Sequence, residues 1–367
     1  MQTIFRTMLL LFCAISMYGQ EIDFNVFPAK FDPSAERFTE LKKLLGHMPP
    51  PPPLDIDTLE IKEINGGRRL LIEYTAELED SIFNTPIDRI RAYLFIPTLS
   101  KKKFPAIVAI HQDGANTHLG KLETAGLAGD GQLQYGLELF QRGYVVICPD
   151  RFYHADRRRI PRPDTICLDE DLEESAYSHW IGQLVMQGRT KMGKEVYDNM
   201  LAVNVLERYD FVDTARIGAI GHSGGGYGLV YFMFYDPRIK AGVSSCGFFE
   251  LTYWFHENAA LKRGISASLP GLLNYGIGSD YLAFIAPRPM LLTRGLYEWG
   301  DTGKWGRFSK LDVTEYQFME RYVSQAYANY GKSENLKFLY FDEEGGRHAI
   351  PPRVKKNIYG WLDAQLE

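Results

Sequence analysis

Cysteine is scarce. Four thiols serve 367 residues, and Cys13 lies in a leader-like stretch. The other three, Cys148, Cys167 and Cys246, are too few for a disulfide framework and leave room for one pair at most. A basic excess is missing as well: 41 Lys and Arg stand against 46 Asp and Glu, a formal charge of −5. A general nucleic-acid binder needs cations to neutralise phosphates, so no nucleic-acid partner is expected. One local basic cluster exists, Arg157, Arg158, Arg159 and Arg162. No internal repeat is visible. Hydrophobic residues at 45% and charged residues at 24% exclude collagen, coiled coil and wholesale disorder. A chain of this length buries a large core.

Long apolar runs are also lacking. The one at 8–17, behind Arg6, is shorter than the ~20 residues of a membrane-spanning helix. It reads as a secretory signal peptide over 1–19, cut near Gly19/Gln20. A lipid-anchored reading would use Cys13, but bulky Phe12 precedes it where a small residue is expected. The expectation is an exported protein, periplasmic or secreted, with no span in the mature chain.

Residues 20–57 read as an N-terminal arm. Leu41, Leu44 and Leu45 lie at helical spacing with Gly46 as a stop, and Pro49 to Pro53 then impose a stiff extended link. The stretches 59–64 and 68–78 flank Asn65-Gly66-Gly67, a hairpin signal, and 89–96 is a further strand. From Phe104 onward buried-strand runs (PAIVAIH, YVVIC, RIGAIG) alternate with helical stretches at 135–142, 191–209, 224–235, 314–330 and 353–365. Such alternation implies βαβ units with right-handed crossovers, hence an α/β domain over 58–367 around a mostly parallel sheet. Residues 151–190 interrupt the pattern as an irregular, charged, lid-like insertion.

Chemistry concentrates at Gly221-His222-Ser223-Gly224-Gly225, which fits G-x-S-x-G between an expected strand and an expected helix. That context makes a nucleophile elbow: the glycines permit a tight turn, and the serine is forced into the open. The helix start supplies free N–H groups, with that of Gly224 the first oxyanion donor. A serine needs a base, and His348, after the run LKFLYF, is the one histidine beyond His256. An acid must orient that base. Glu298, in the loop after PMLLTRG, is the first choice, Asp301 the second and Glu250 the third. The second oxyanion donor falls in the loop after PAIVAIH, on the backbone N–H of Gln112 or Asp113. His118, His154, His179 and His256 show no metal-ligand spacing, so no metal is expected. Arg157, Arg158 and Arg159 are candidates for an acidic substrate group, since arginine pairs with carboxylates bidentately. Trp299 is a candidate sugar-stacking ring.

The segments HQDGANTHLGKLETAGLAGDGQLQYG, RGYVVICPD, GRTKMGKEVYDNMLAVNVLERYDFVDTARIGAIGHSGGG and DYLAFIAPRPMLLTRG resemble the dienelactone hydrolase/acetyl xylan esterase branch of the α/β-hydrolases. The resemblance covers residues ~35–365 of the sequence. It implies an α/β-hydrolase fold with helices on both faces of the sheet, a serine triad, no cofactor and hydrolysis of carboxylic esters. Residue by residue, it places Ser223 as nucleophile, Glu298 at the acid position, His348 as base and Gly224 in the oxyanion hole. The sequence departs from the family in carrying Glu where Asp is commoner, which leaves Asp301 open. It also carries Ser where dienelactone hydrolases often use Cys, which argues against that narrow substrate class. The leading expectation is a serine carboxylesterase of acetylated polysaccharide or oligosaccharide. Competing expectations are a uronate-ester or other small carboxylester hydrolase, a prolyl-oligopeptidase-like peptidase, and a non-catalytic binding protein on the same fold.

Overall fold

The computed structural model describes residues 30–82, 85–98, 102–113, 117–158, 170–250, 268–298 and 313–366. The expected leader, Cys167, Arg159, Trp299 and Asp301 lie outside the described residues. Nine strands form one sheet: β1 (Ile56–Ile64), β2 (Gly67–Glu77), β3 (Asp88–Pro97), β4 (Phe104–Ile110), β5 (Val145–Pro149), β6 (Val212–His222), β7 (Ile239–Ser245), β8 (Met290–Gly295) and β9 (Leu336–Phe341). Their spatial order is β1-β2-β3-β5-β4-β6-β7-β8-β9. The first three and β5 pair antiparallel; β5 through β9 pair parallel. This is the expected α/β architecture.

Strand periodicity decides where each side chain goes. Along β4, Ala106, Val108 and Ile110 enter one core, while Ile107 and Ala109 enter the other. Both faces must therefore be covered, which is why the run is continuously apolar. Helices α1 (Ala35–Leu44), α4 (Lys191–Leu206), α5 (Gly224–Tyr235), α6 (Gly278–Ala283) and α7 (Val313–Asn329) pack on the first face. Helices α2 (Tyr135–Gln141) and α8 (Pro352–Leu366) cover the second.

The arm is anchored to this body. Leu41 and Leu45 are buried, the Tyr281 hydroxyl donates to the Leu41 carbonyl (2.7 Å), and Thr190 Oγ1 donates to that of Leu45 (2.8 Å). Ser34 caps α1 by accepting from the Arg37 N–H. Gly46 closes it at φ +87°, where a Cβ would stand 2.6 Å from the Gly188 carbonyl.

The insertion differs from its expected irregularity: α3 (Glu170–Met186) is a 17-residue helix. Only its second half carries helical spacing, with Ile181 and Leu184 buried and Tyr177 and Trp180 half-buried. Its acidic first half hid the period. Cys148 and Cys246 are buried free thiols. Among the described residues no helix is long and apolar enough to cross a membrane.

Candidate active site

The end of β6 turns directly into α5, and Ser223 occupies the junction at φ 53°, ψ −126°. Such a conformation is strained for a non-glycine residue and persists only when surrounding structure imposes it. Here the Ser223 N–H donates to the Ser245 carbonyl (2.9 Å), and its own carbonyl accepts from the Tyr227 N–H (2.9 Å). The flanking glycines answer to space. A Cβ on Gly221 would stand 2.4 Å from the Gly225 carbonyl, and one on Gly225 2.4 Å from the carbonyl oxygens of both Ile110 and His111.

Those two carbonyls end β4 and open the loop that follows it, and Arg151 holds that loop at three points. Its N–H donates to His111 Nε2 (2.9 Å), and its Nη1 donates to the His111 carbonyl (3.2 Å) and to Asp113 Oδ1 (2.7 Å). Because Nε2 accepts, the His111 ring proton lies on Nδ1, facing the Gln112 carbonyl at 2.7 Å. Burial, with His154 and Arg151 alongside, keeps the His111 pKa well below its ordinary value, so His111 is a neutral structural group. With the His111 carbonyl turned to Arg151, the N–H of Gln112 in the same planar peptide points the opposite way. The Gln112 side chain is fixed too, donating to both Glu123 oxygens (3.1 and 3.0 Å). Asp113 brings its carboxylate over Gly224, where a Cβ would lie 2.3 Å from Oδ2. Arg151 reaches onward to Glu195 Oε1 (2.7 Å), which also faces Lys191 Nζ (3.3 Å).

On the other side of the elbow, the loops after β8 and β9 bring Glu298 and His348 together, Oε2 to Nδ1 at 3.5 Å. The Glu298 carboxylate is fully buried, the His348 side chain 21% exposed. The same Oε2 lies 3.0 Å from Arg294 Nε, and Oε1 accepts from the Gly295 N–H (3.2 Å). Burial alone would raise the Glu298 pKa; Arg294 and His348 outweigh it and hold the carboxyl below its ordinary value. Arg294 in turn stacks 4.8 Å over the Tyr316 ring. The His348 ring lies 4.6 Å from that of His222, the residue before the serine. His222 Nδ1 is 3.2 Å from Ser245 Oγ, itself an acceptor from Thr293 Oγ1 (3.1 Å). Burial, then His348 and Arg294, push the His222 pKa well down, so it packs as a neutral ring.

Other candidates fall elsewhere. Glu250 is buried at the start of α6, accepting from the Gly278 and Ser279 N–H groups (3.1 and 2.8 Å) and from Ser279 Oγ (2.6 Å). Arg157 corrects the expectation of a substrate contact. Its side chain is 2% exposed and pairs with Asp88 (2.6 Å) and Asp198 (2.8 Å). Arg158 lies half-buried with Nη1 2.7 Å from His118 Nε2. Arg151, which opens the arginine stretch read as a contact for an acidic substrate, is instead buried and holds the β4 loop. Arg294 went unnoticed in the sequence, where the one available signal was its position four residues before Glu298.

Among the described residues two clusters have metal-ligand types within 4.8 Å of one another, Cys246/Glu298/His348 and Glu77/Asp88/Asp198. Cations already face both: Arg294 the first, and Arg157, Lys194 and Arg189 the second. Each therefore opposes a dication.

The sheet order and the strand–serine–helix elbow are those of the α/β-hydrolase fold. Residues 178–266, which span the elbow, match the prolyl oligopeptidase family. A Bacillus subtilis (strain 168) protein, YtaP, named as a hydrolase, is 26% identical over 269 residues, 72% of this chain and 81% of that one. Among solved structures, a Bacteroides fragilis protein assigned as an acetyl xylan esterase superposes with TM-score 0.61 at 19% identity, covering 84% of this chain and 73% of that chain. Glucuronoyl esterase from Solibacter usitatus gives 0.60 at 14% identity, covering 91% and 93%. The chain has the α/β-hydrolase fold, with carbohydrate esterases among its structural neighbours.

Proposed function

We propose that this protein is a serine carboxylesterase that removes acyl groups, acetyl foremost, from polysaccharide or oligosaccharide. The observation that carries the reading is the Glu298–His348 pair, 3.5 Å apart, delivered by two successive strand-end loops beside the Ser223 elbow. In this reading His348 takes the Ser223 proton as Oγ attacks the acyl carbonyl, and buried, ionised Glu298 orients the imidazole. The N–H groups of Gly224 and Gln112 receive the oxyanion; one such donor is worth ~2.7–4 kcal/mol. His348 then gives the proton to the leaving sugar alkoxide and activates the water that releases the acid.

The glucuronoyl esterase neighbour supports a second reading, hydrolysis of a uronate ester. The prolyl oligopeptidase match supports a third, a peptidase. One comparison separates them: turnover of nitrophenyl acetate, acetylated xylan, a methyl glucuronate ester and a proline anilide by the wild type, with Ser223→Ala as control. Turnover of acetylated xylan above the others is expected; turnover of the anilide alone would make the protein a peptidase. We also propose export after cleavage near Gly19/Gln20. N-terminal sequencing of native protein checks this, and retained Met1 in a cytosolic fraction would refute it.

A further inference from the structure

Four charged groups meet around Arg151, and they differ sharply in exposure. Arg151 directly follows β5, while Lys191 and Glu195 lie four residues apart at the start of α4. The Arg151 guanidinium bridges Asp113 Oδ1 and Glu195 Oε1, both at 2.7 Å, and Lys191 Nζ lies 3.3 Å from the same Glu195 oxygen. Two cations thus balance two carboxylates. The side chains of Arg151, Glu195 and Lys191 are 2%, 2% and 6% exposed, whereas that of Asp113 is 29% exposed. Such a cluster is a dipole whose negative end faces outward, and it acts on an approaching substrate through that end. His154 does not offset it. Its Nε2 lies 3.8 Å from Asp113 Oδ1, but burial, then Arg151, pushes its pKa down to about 4, so the ring is uncharged above that value.

The exposed carboxylate stands at the nucleophile. A Cβ on Gly224, the residue after Ser223, would collide with both Asp113 oxygens, so the carboxylate rests against the first turn of α5. Arg151 fixes it there and holds the same loop by the His111 carbonyl (3.2 Å). A substrate whose acyl carbonyl lies at Ser223, between the N–H groups of Gly224 and Gln112, therefore brings its neighbouring atoms up to Asp113. A carboxylate among those atoms meets a like charge that cannot swing away; a neutral sugar hydroxyl meets an acceptor.

We propose that Asp113 is a specificity-determining residue that turns away esters carrying a carboxylate beside the scissile bond and so favours neutral acylated sugars. Its charge also acts on the developing oxyanion, but equally for every substrate, so a ratio between substrates isolates the effect. The inference rests on the carbohydrate-ester reading, and its test therefore includes a measurement that needs no ester. Acetate release is followed from O-acetylated methyl glucuronoside, once as the free carboxylate and once as its carboxamide, two substrates alike in shape and different in charge. The wild type should favour the carboxamide in kcat/KM about fivefold or more, the effect of one unit charge at close range under partial solvent screening. Asp113→Asn, which keeps an oxygen for Arg151, should bring the ratio toward parity. Molar salt, which shortens the screening length to about 3 Å, should compress it in the wild type, independently of how the variant folds. Labelling of Ser223 by fluorophosphonates of one chain length, ending in trimethylammonium, tert-butyl or carboxylate, reads the same charge. Rates should fall in that order in the wild type and converge in Asp113→Asn. A wild-type ratio at parity or in favour of the carboxylate overturns the inference, and so does a ratio that neither Asp113→Asn nor salt moves. No acetate from either sugar, with the labelling order intact, would instead sink the carbohydrate-ester reading and leave Asp113 its role. No labelling at all would remove Ser223 as nucleophile and this inference with it.

Discussion

Arg294 and His348 meet on one oxygen of Glu298: Nε of the arginine lies 3.0 Å from Oε2, and Nδ1 of the histidine 3.5 Å. The carboxylate is thus stabilised by a fixed cation even when His348 is neutral. Its pKa lies below the ordinary 4.5, so its ionised form contributes fully above that value, and the contribution fades as pH falls through the folded pKa. Arg294→Met leaves burial dominant and raises the carboxyl pKa. That moves the acid limb of kcat/KM to higher pH, by about one unit. A pH–rate profile on nitrophenyl acetate checks it; an unmoved limb would mean that Arg294 only supports packing against Tyr316.

The two buried glutamates should separate cleanly. Glu298→Gln should lower kcat ~10³–10⁴-fold with folding intact, because the imidazole loses its orienting charge. Glu250→Gln removes the charge that receives the α6 N–H groups and should cost about 1–3 kcal/mol of stability instead, with kcat within a few-fold. Rates and denaturant midpoints of both variants decide; the reverse pattern would move the acid to Glu250.

Arg157→Met should destabilise the protein by about 3–5 kcal/mol, since it leaves Asp88 and Asp198 buried against fewer cations. Relative kcat/KM on acidic and neutral esters should not change. A selective loss on an acidic ester would restore Arg157 as a substrate contact.

The fate of Arg157 shows what the sequence could and could not disclose. The elbow was readable because its glycines record local sterics: Gly221 and Gly225 are constrained by neighbours a few residues away or at the end of the adjacent strand. Sheet and helix order were readable because burial on two faces imposes continuous apolar runs such as that of β4. The buried ion pairs were not. Arg157 finds Asp88 69 residues back and Asp198 41 residues ahead, and nothing local distinguishes it from Arg158. Glu250 and Glu298 both follow strand ends, and only the contacts of each carboxylate tell a helix cap from a partner of His348.

Buried neutral histidines should make the fold acid-sensitive. His111 and His222 are held well below their ordinary pKa by burial and nearby positive groups, and His154 is pushed down to about 4 by burial and Arg151. The unfolded chain takes up these protons near 6.5 and the folded one does not, so stability is full above 6.5 and falls as pH drops toward the folded values. The slope is about 1.4 kcal/mol per pH unit for each histidine. Urea midpoints between pH 7 and 5 measure it, and His154→Asn should flatten the curve. A flat wild-type curve would mean that the rings protonate in the folded state.

The contact of Gly225 with the β4 loop provides the sharpest test of the oxyanion arrangement. A methyl group there would press at 2.4 Å on the carbonyl oxygens of Ile110 and His111, both backbone atoms. The β4 end is tied into the sheet, so the loop carrying Gln112 must give way. Arg151 grips the same His111 carbonyl (3.2 Å) and resists the shift, so strain is taken up in the 111–112 peptide, whose N–H is the proposed second donor. Gly225→Ala should therefore lower kcat on small and polymeric esters alike by ~10²–10³-fold, the effect of one lost oxyanion donor, with little change in KM. Ser223 should still react with a fluorophosphonate probe, more slowly, since the nucleophile and His348 stay in place. Full activity in Gly225→Ala would mean that the second donor lies elsewhere. Complete loss of labelling together with a lowered melting temperature would mean that the elbow itself had collapsed.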